Sequence, residues 1–181
     1  MTLFKALLVS IIAFSSSCLA FDKDNHQTIT VESDKAERNE KTGLTQYSGN
    51  VIIRQGSLII EANSVEIHYA DNQVNRIICN GNPARYQQKS STGEQVLARA
   101  ETIEYVPAKK LVNLKTNASL SKNGTLIKGD SINYDVVSET WRAKGDNKSN
   151  QKRIQLVIPP LQKPKELAKE VEATDEKSKS Q

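Results

Sequence analysis

The sequence is poor in the residues from which catalytic and metal sites are most often built. Its 181 residues hold two histidines, two cysteines, one methionine and one tryptophan. His26 lies near the start of the chain and His68 on the outward parity of an alternating segment, and neither has a second His or Cys at metal-ligand spacing. No serine stands in a strand-to-helix elbow, which excludes the commonest nucleophile arrangement. No glycine-rich loop opens a helix, which excludes the usual phosphate cradle. Two carboxylate pairs, Glu61 with Glu66 and Glu101 with Glu104, have the residue type needed for sugar hydrolysis. Exposed strand carboxylates are ordinarily solvent-facing charges, and these read so. The expectation is a chain with no catalytic residue, no metal ligand and no cofactor.

Aromatic residues are scarce too, at 5%. A sugar-binding β-protein offers aromatic platforms, and few are available here. The net charge is +4, from basic residues scattered along the chain. A nucleic-acid surface needs a basic patch with stacking rings, so no nucleic acid is expected as a partner.

Long apolar runs are confined to the start. Lys5 precedes an apolar stretch from Ala6 to Phe14, and Cys18-Leu19-Ala20 follows. The stretch is too short to span a bilayer comfortably. The layout is that of a bacterial secretory signal cut after Ala20. Ser15 stands three residues before Cys18, where a lipoprotein needs an aliphatic residue. Cleavage lowers the net charge to +3 by removing Lys5, and removes Cys18. Cys79 is then alone and has no internal disulfide partner. Its alternation with Ile77 points to a buried thiol.

At the other end, Pro159-Pro160 closes the apolar pattern. Beyond it the chain is rich in Lys and Glu, with equal numbers of each sign of charge, and lacks the apolar surface to hold a fold. The expected organisation is a signal at 1–20, one domain at 21–160 and a polar, mobile tail at 161–181.

What the domain does have is alternation with period two. Ile29/Val31, Val51/Ile53, Leu58/Ile60, Val65/Ile67/Tyr69, Ile103/Tyr105, Ile132/Tyr134 and Ile154/Leu156/Ile158 each interleave with polar or opposite-facing residues. That is the signature of half-buried strands. Turn formers separate them at Lys41-Thr42-Gly43, Gln55-Gly56-Ser57, Asp71-Asn72, Asn80-Gly81-Asn82-Pro83, Asn123-Gly124 and Gly145-Asp146-Asn147. No helical period appears. The class is all-β, with many short strands joined by hairpins.

An eight-residue phrase recurs: VESDKAER at 31–38, IEANSVEI at 60–67, ARAETIEY at 98–105 and IKGDSINY at 127–134. Each copy has a polar follower: Asn50 after Asp34, Asn82 after Asn63, Asn117 after Glu101 and Asp146 after Asp130. Recurrence on this scale marks stacked supersecondary units, each hiding its apolar face against its neighbours. The Asp34/Asn63/Glu101/Asp130 set reads as turn chemistry. A calcium site needs clustered oxygens, and these are spread one per unit. Arg38 stands where the other copies have Ile67, Tyr105 and Tyr134, which suits a unit at the rim of the stack.

The inner face gathers Ile29, Val31, Val51, Ile53, Leu58, Ile60, Val65, Ile67, Tyr86, Ile103, Tyr105, Leu120, Ile132 and Tyr134. Such a face suits acyl chains held between sheets, and it equally suits a dry core, because both read as apolar-in and polar-out.

ITVESDKAER, YSGNVIIRQGSLIIEANSVEI, GNPARYQQ, IEYVPAKKLVNL, IKGDSINYD and LVIPP, in this order and spacing behind a signal, resemble the periplasmic lipopolysaccharide-transport proteins of the LptA/OstA family. The resemblance runs from about Thr28 to Pro160. It implies an elongated, twisted antiparallel jelly-roll of about sixteen strands, an open V of two sheets. It implies that the inner face holds the lipid A part of lipopolysaccharide. It also implies head-to-tail oligomers that bridge an inner-membrane export complex and an outer-membrane assembly complex through domains of the same fold. The docking edges are then Thr28, Ile29, Thr30 and Val31 at one end and Ile154, Leu156 and Ile158 at the other. The resemblance carries over no catalytic residue. The competing readings are a structural adaptor binding envelope proteins through its sheet edges, and an envelope polysaccharide hydrolase.

Overall fold

The computed structural model describes residues 27–90, 92–146 and 153–160. The signal segment, His26 and the tail at 161–181 lie outside the described residues.

Ten strands form one antiparallel sheet. Six are long: β3 (Leu44–Gln55), β4 (Leu58–Ala70), β5 (Gln73–Lys89), β6 (Gln95–Val106), β7 (Leu111–Lys122) and β8 (Thr125–Asp135). Four are short: β1 (Thr30–Glu32), β2 (Lys35–Asn39), β9 (Thr140–Lys144) and β10 (Gln155–Val157). The long strands pair in sequence order, as a meander. Both β1 and β2 pair with β3, and both β9 and β10 pair with β8.

The alternation in the sequence makes these strands. In β6, Val96, Ala98 and Ala100 are buried while Gln95, Leu97, Arg99 and Glu101 are exposed. Full burial of one Val, Leu or Ile side chain contributes about 1.5–3 kcal/mol. The tight turns follow from their residues. Asp71-Asn72 has φ of 52° and 59°, and Asn123-Gly124 has φ of 52° and 75°. Left-handed backbone at both central positions is the two-residue turn that matches strand twist.

Each long ladder is interrupted near its middle, between Ser48/Val51, Glu61/Ser64, Asn80/Ala84, Arg99/Thr102 and Lys115/Ala118, and the β4/β5 ladder shifts a second time between His68 and Tyr69. The middle interruptions line up across the sheet as a corner that divides it into two walls. The first wall holds β2, 44–48, 64–70, 73–80, 102–106, 111–115, 131–135 and β9. The second holds β1, 51–55, 58–61, 84–89, 95–99, 118–122, 125–129 and β10. Six bent strands count twice and four straight ones once, which gives sixteen wall segments.

Two expectations are corrected here. Asn80-Gly81-Asn82-Pro83 does not separate two strands. It lies inside β5 as the bulge where that strand turns the corner, and its Asn82–Pro83 peptide is cis. The strands are also fewer and longer than hairpin-linked short ones, because a bulge bends a ladder without ending it.

The repeated polar residues occupy this corner. Asn50 Nδ2 donates to Asp34 Oδ2 at 3.0 Å, the Asn82 backbone N–H donates to Asn63 Oδ1 at 3.2 Å, and Asn117 Nδ2 donates to Glu101 Oε1. These are three of the four pairs read from the repeat. Gly49 is required beside them. Its φ is +80°, and an added Cβ would stand 2.2 Å from Asp34 Oδ2.

Candidate functional site

The ladders align side chains into rows that run the length of the sheet. On the first wall, Ala36, Tyr47, Val65, Cys79, Ile103, Leu114, Ile132 and Ala143 form one inward row. Two residues further from the corner runs Arg38, Thr45, Ile67, Ile77, Tyr105, Val112, Tyr134 and Trp141. On the second wall the inward row is Val31, Ile53, Ile60, Tyr86, Ala98, Leu120, Ile127 and Leu156. The walls meet face to face. The rings of Tyr86 and Tyr105, one from each wall, have centroids 6.3 Å apart.

Twelve of the fourteen expected inner-face residues are buried: Val51, Ile53, Leu58, Ile60, Val65, Ile67, Tyr86, Ile103, Tyr105, Leu120, Ile132 and Tyr134. Ile29 and Val31, at one end, are partly buried against this cluster. The interior is therefore filled by its own side chains. Cys79 has 0% exposure, and burial pushes its thiol up to about 12. A thiol held so far above neutral pH carries almost no thiolate and is inert.

The carboxylate pairs do not form sites. Glu61 faces Arg85 at 3.6 Å, and Glu66 faces His68 at 3.5 Å. Glu104 faces Lys115 at 2.9 Å and Arg76 at 3.8 Å, while Glu101 is spent at the corner. Among the described residues no group of three or more His, Cys, Asp or Glu is placed to hold a metal ion. No helix among them is long and apolar enough to cross a membrane.

Among the described residues the sheet is not closed on itself, so each end presents two edges. β1 and β2 stand at one end, β9 and β10 at the other. Of the expected docking residues, Thr28 and Thr30 are exposed and Ile29 and Val31 half-buried. Ile154, Leu156 and Ile158 are exposed at 48%, 47% and 69%. Trp141 and Val157 add further apolar surface to the same end. The edges of the first wall, β2 and β9, were missed from the sequence. The signal was present, because a corner at Asp34 implies a strand on each side of it. Arg38 does lie in the row of Ile67, Tyr105 and Tyr134, on the edge strand β2, with its guanidinium 4.9 Å from the Tyr69 ring centre.

At the β9/β10 end a cavity of about 310 Å³ opens between the walls. Val96, Leu120 and Ile127 line it from the second wall and Tyr134 and Trp141 from the first. Lys122 reaches across its rim to Glu139 on the β8–β9 turn, and to Glu94 at 3.5 Å. Burial pulls the Lys122 ammonium down, but the bond to Glu139 and the surrounding negative charge hold it above its ordinary value. The bond from Asn123 holds the Glu94 carboxyl below its ordinary range. No sequence pattern pointed to this cluster, since its members come from three separate segments.

An open antiparallel sheet, folded once along a bulged corner over an apolar interior and ending in free edges, defines an elongated β-jelly-roll. The profile of the family described as LptA/(LptD N-terminal domain) LPS transport protein matches residues 30–140. The lipopolysaccharide export system protein LptH of Pseudomonas aeruginosa is 32% identical over 155 residues, covering 82% of this chain and 89% of that protein. LptA of Escherichia coli K12 is 31% identical over 158 residues, covering 86% and 84%. The crystal structure of P. aeruginosa LptH, titled the LptA-homologous periplasmic component of the lipopolysaccharide transport device, superposes with a TM-score of 0.71 at 29% identity. It covers 76% of this chain and 99% of that one. The chain belongs to the LptA family of lipopolysaccharide transport proteins.

Proposed function

We propose that this protein carries lipopolysaccharide across the periplasm, sheltering the lipid A acyl chains between its two walls. The single observation that carries this reading is the inward row of apolar side chains on each wall, running from Ala36 to Ala143 on the first and from Val31 to Leu156 on the second. Each methylene moved from water into such an interior gains about 0.8 kcal/mol. A multi-acyl lipid crossing water unsheltered forfeits that for every methylene. The role needs no catalysis, and on the outer face Glu61 and Glu104 are paired with Arg85, Arg76 and Lys115. The periplasmic setting is supported by the signal read at 1–20 and by the name of the solved relative.

The free edges supply the bridge, by strand addition to copies of this chain or to domains of the same fold in the membrane complexes. A second copy that continues the sheet sets its β2 antiparallel beside β9 and its β1 beside β10. Extending the ladder rows gives the register. Ala36 meets Ala143, Glu37 meets Arg142, Arg38 meets Trp141, and Val31 meets Leu156. Opposite charges on the outer face and a cation over a ring on the inner face favour this pairing. Lys35 meets Lys144, a like pair that opposes it. The boundaries at 21 and 160 and the free tail remain part of this proposal.

The test is lipid extraction and mass spectrometry of protein purified from its native envelope. Lipopolysaccharide at a defined ratio to protein is expected. Repeated recovery without lipid would favour the dry adaptor that binds envelope proteins through its edges.

A further inference from the structure

We propose that the cavity at the β9/β10 end binds the phosphorylated head of an acyl lipid, with Lys122 taking the phosphate in exchange for Glu139. The proposal rests on acyl lipids entering the trough, and it assigns a head-group site at one mouth.

Lys122 is out of place for a packing residue. It pairs with Val96 in the ladder and so occupies an inward position at the lip of the second wall, beside buried apolar neighbours. An ammonium there needs counter-charge, and Glu139 supplies it from the opposite wall. The other ion pairs described above join residues within one wall, so this one ties the two lips together. Glu94 belongs to the wall of Lys122 itself and can stay in place when Glu139 leaves.

The surroundings suit an amphiphile. Val96, Leu120 and Ile127 give the cavity an apolar floor. The Tyr134 hydroxyl at its edge is buried, with the residue 3% exposed, and it has no hydrogen-bond partner. A buried donor without an acceptor is costly, and a phosphate oxygen beside Lys122 supplies one. A phosphate monoester carries close to two negative charges at neutral pH, against one for a carboxylate, so it competes with Glu139 for the ammonium. Occupation of Lys122 by the lipid's own head frees Glu139, releases the tie between the lips, and admits the chain behind the head.

Trp141 lines the cavity and is the one tryptophan of the chain, so its emission reports occupancy directly. The full chain is titrated with dioctanoyl phosphatidate, with dioctanoyl glycerol and with inorganic phosphate. Phosphatidate is expected to bind more tightly than the uncharged glycerol lipid. Lys122→Gln is expected to weaken phosphatidate about tenfold, the scale of one charge-assisted contact, and to leave the glycerol lipid nearly unchanged. Glu139→Gln removes the competing carboxylate and is expected to tighten phosphatidate several-fold, an effect that misfolding cannot imitate. Lipid binding that is indifferent to both substitutions overturns the site and leaves the trough standing. No binding of either lipid overturns both. A response to inorganic phosphate equal to that of phosphatidate identifies a free-anion site and overturns the lipid assignment.

Discussion

Ile77 and Ile78 are neighbours of identical chemistry on β5, and the fold sends them to opposite faces. Ile77 is 1% exposed and lies between Ile67 and Tyr105 in an inward row. Ile78 is half-buried and lies between Glu66 and Glu104 on the outer face. Ile77→Ala removes three carbon groups from the sealed interior, about 2.4 kcal/mol at ~0.8 kcal/mol each. A residual void of about 50 Å³ adds about 1 kcal/mol, for a total near 3–4 kcal/mol. Ile78→Ala removes the same groups from a site already open to water, where a cost below about 1 kcal/mol follows. Urea unfolding of the two variants and the parent, followed by Trp141 emission, measures both. Equal costs, or a larger cost for Ile78, would refute the assignment of faces and with it the trough.

Gly49→Ala sets a Cβ against Asp34 at a left-handed φ, so a loss of about 1–3 kcal/mol and a lower melting temperature are expected; an unchanged melt counts against the corner geometry. Arg142→Glu opposes Glu37 across the proposed joint and is expected to weaken self-association in sedimentation velocity by up to about fivefold. Adding Glu37→Arg restores it, and a double variant no better than the single one argues against this register. The depressed Glu94 carboxyl contributes stability at neutral pH that is lost as pH falls through its folded value, below the ordinary ~4.3. The raised Lys122 contributes stability that is complete below the ordinary ~10.4 and lost only as pH rises through its higher folded value. Trp141 emission is therefore expected to stay flat from about pH 5 to 9 and to move outside that window; a transition near pH 7 would contradict the tie that Lys122 makes with Glu139 and Glu94.

The faces of the sheet were legible in the sequence because a strand's side chains alternate whatever its partners are. Val51, Ile53, Val65, Ile67 and Ile103 all fall inward as their parity requires. The recurring octet was legible as well, and Arg38, Ile67, Tyr105 and Tyr134 share one row across the sheet. The corner was harder to see. Glycine, asparagine and proline serve both a chain-reversing turn and a bulge, so Asn80 to Pro83 read as the former and proved to be the latter. The Lys122 cluster could not be read at all. Glu94 and Glu139 reach Lys122 only because the walls fold together, and no local pattern encodes that meeting.

The most direct test of the account is site-specific photo-crosslinking in living cells at adjacent positions of opposite parity. Cross-linkers at Ile29, Val31, Ile53 and Tyr105 face the trough, and those at Thr30, Glu66 and Glu104 face solvent. Capture of lipopolysaccharide at the first set and not at the second is the predicted result. Equal capture at both sets, or capture only at the second, would contradict a lipid held between the walls.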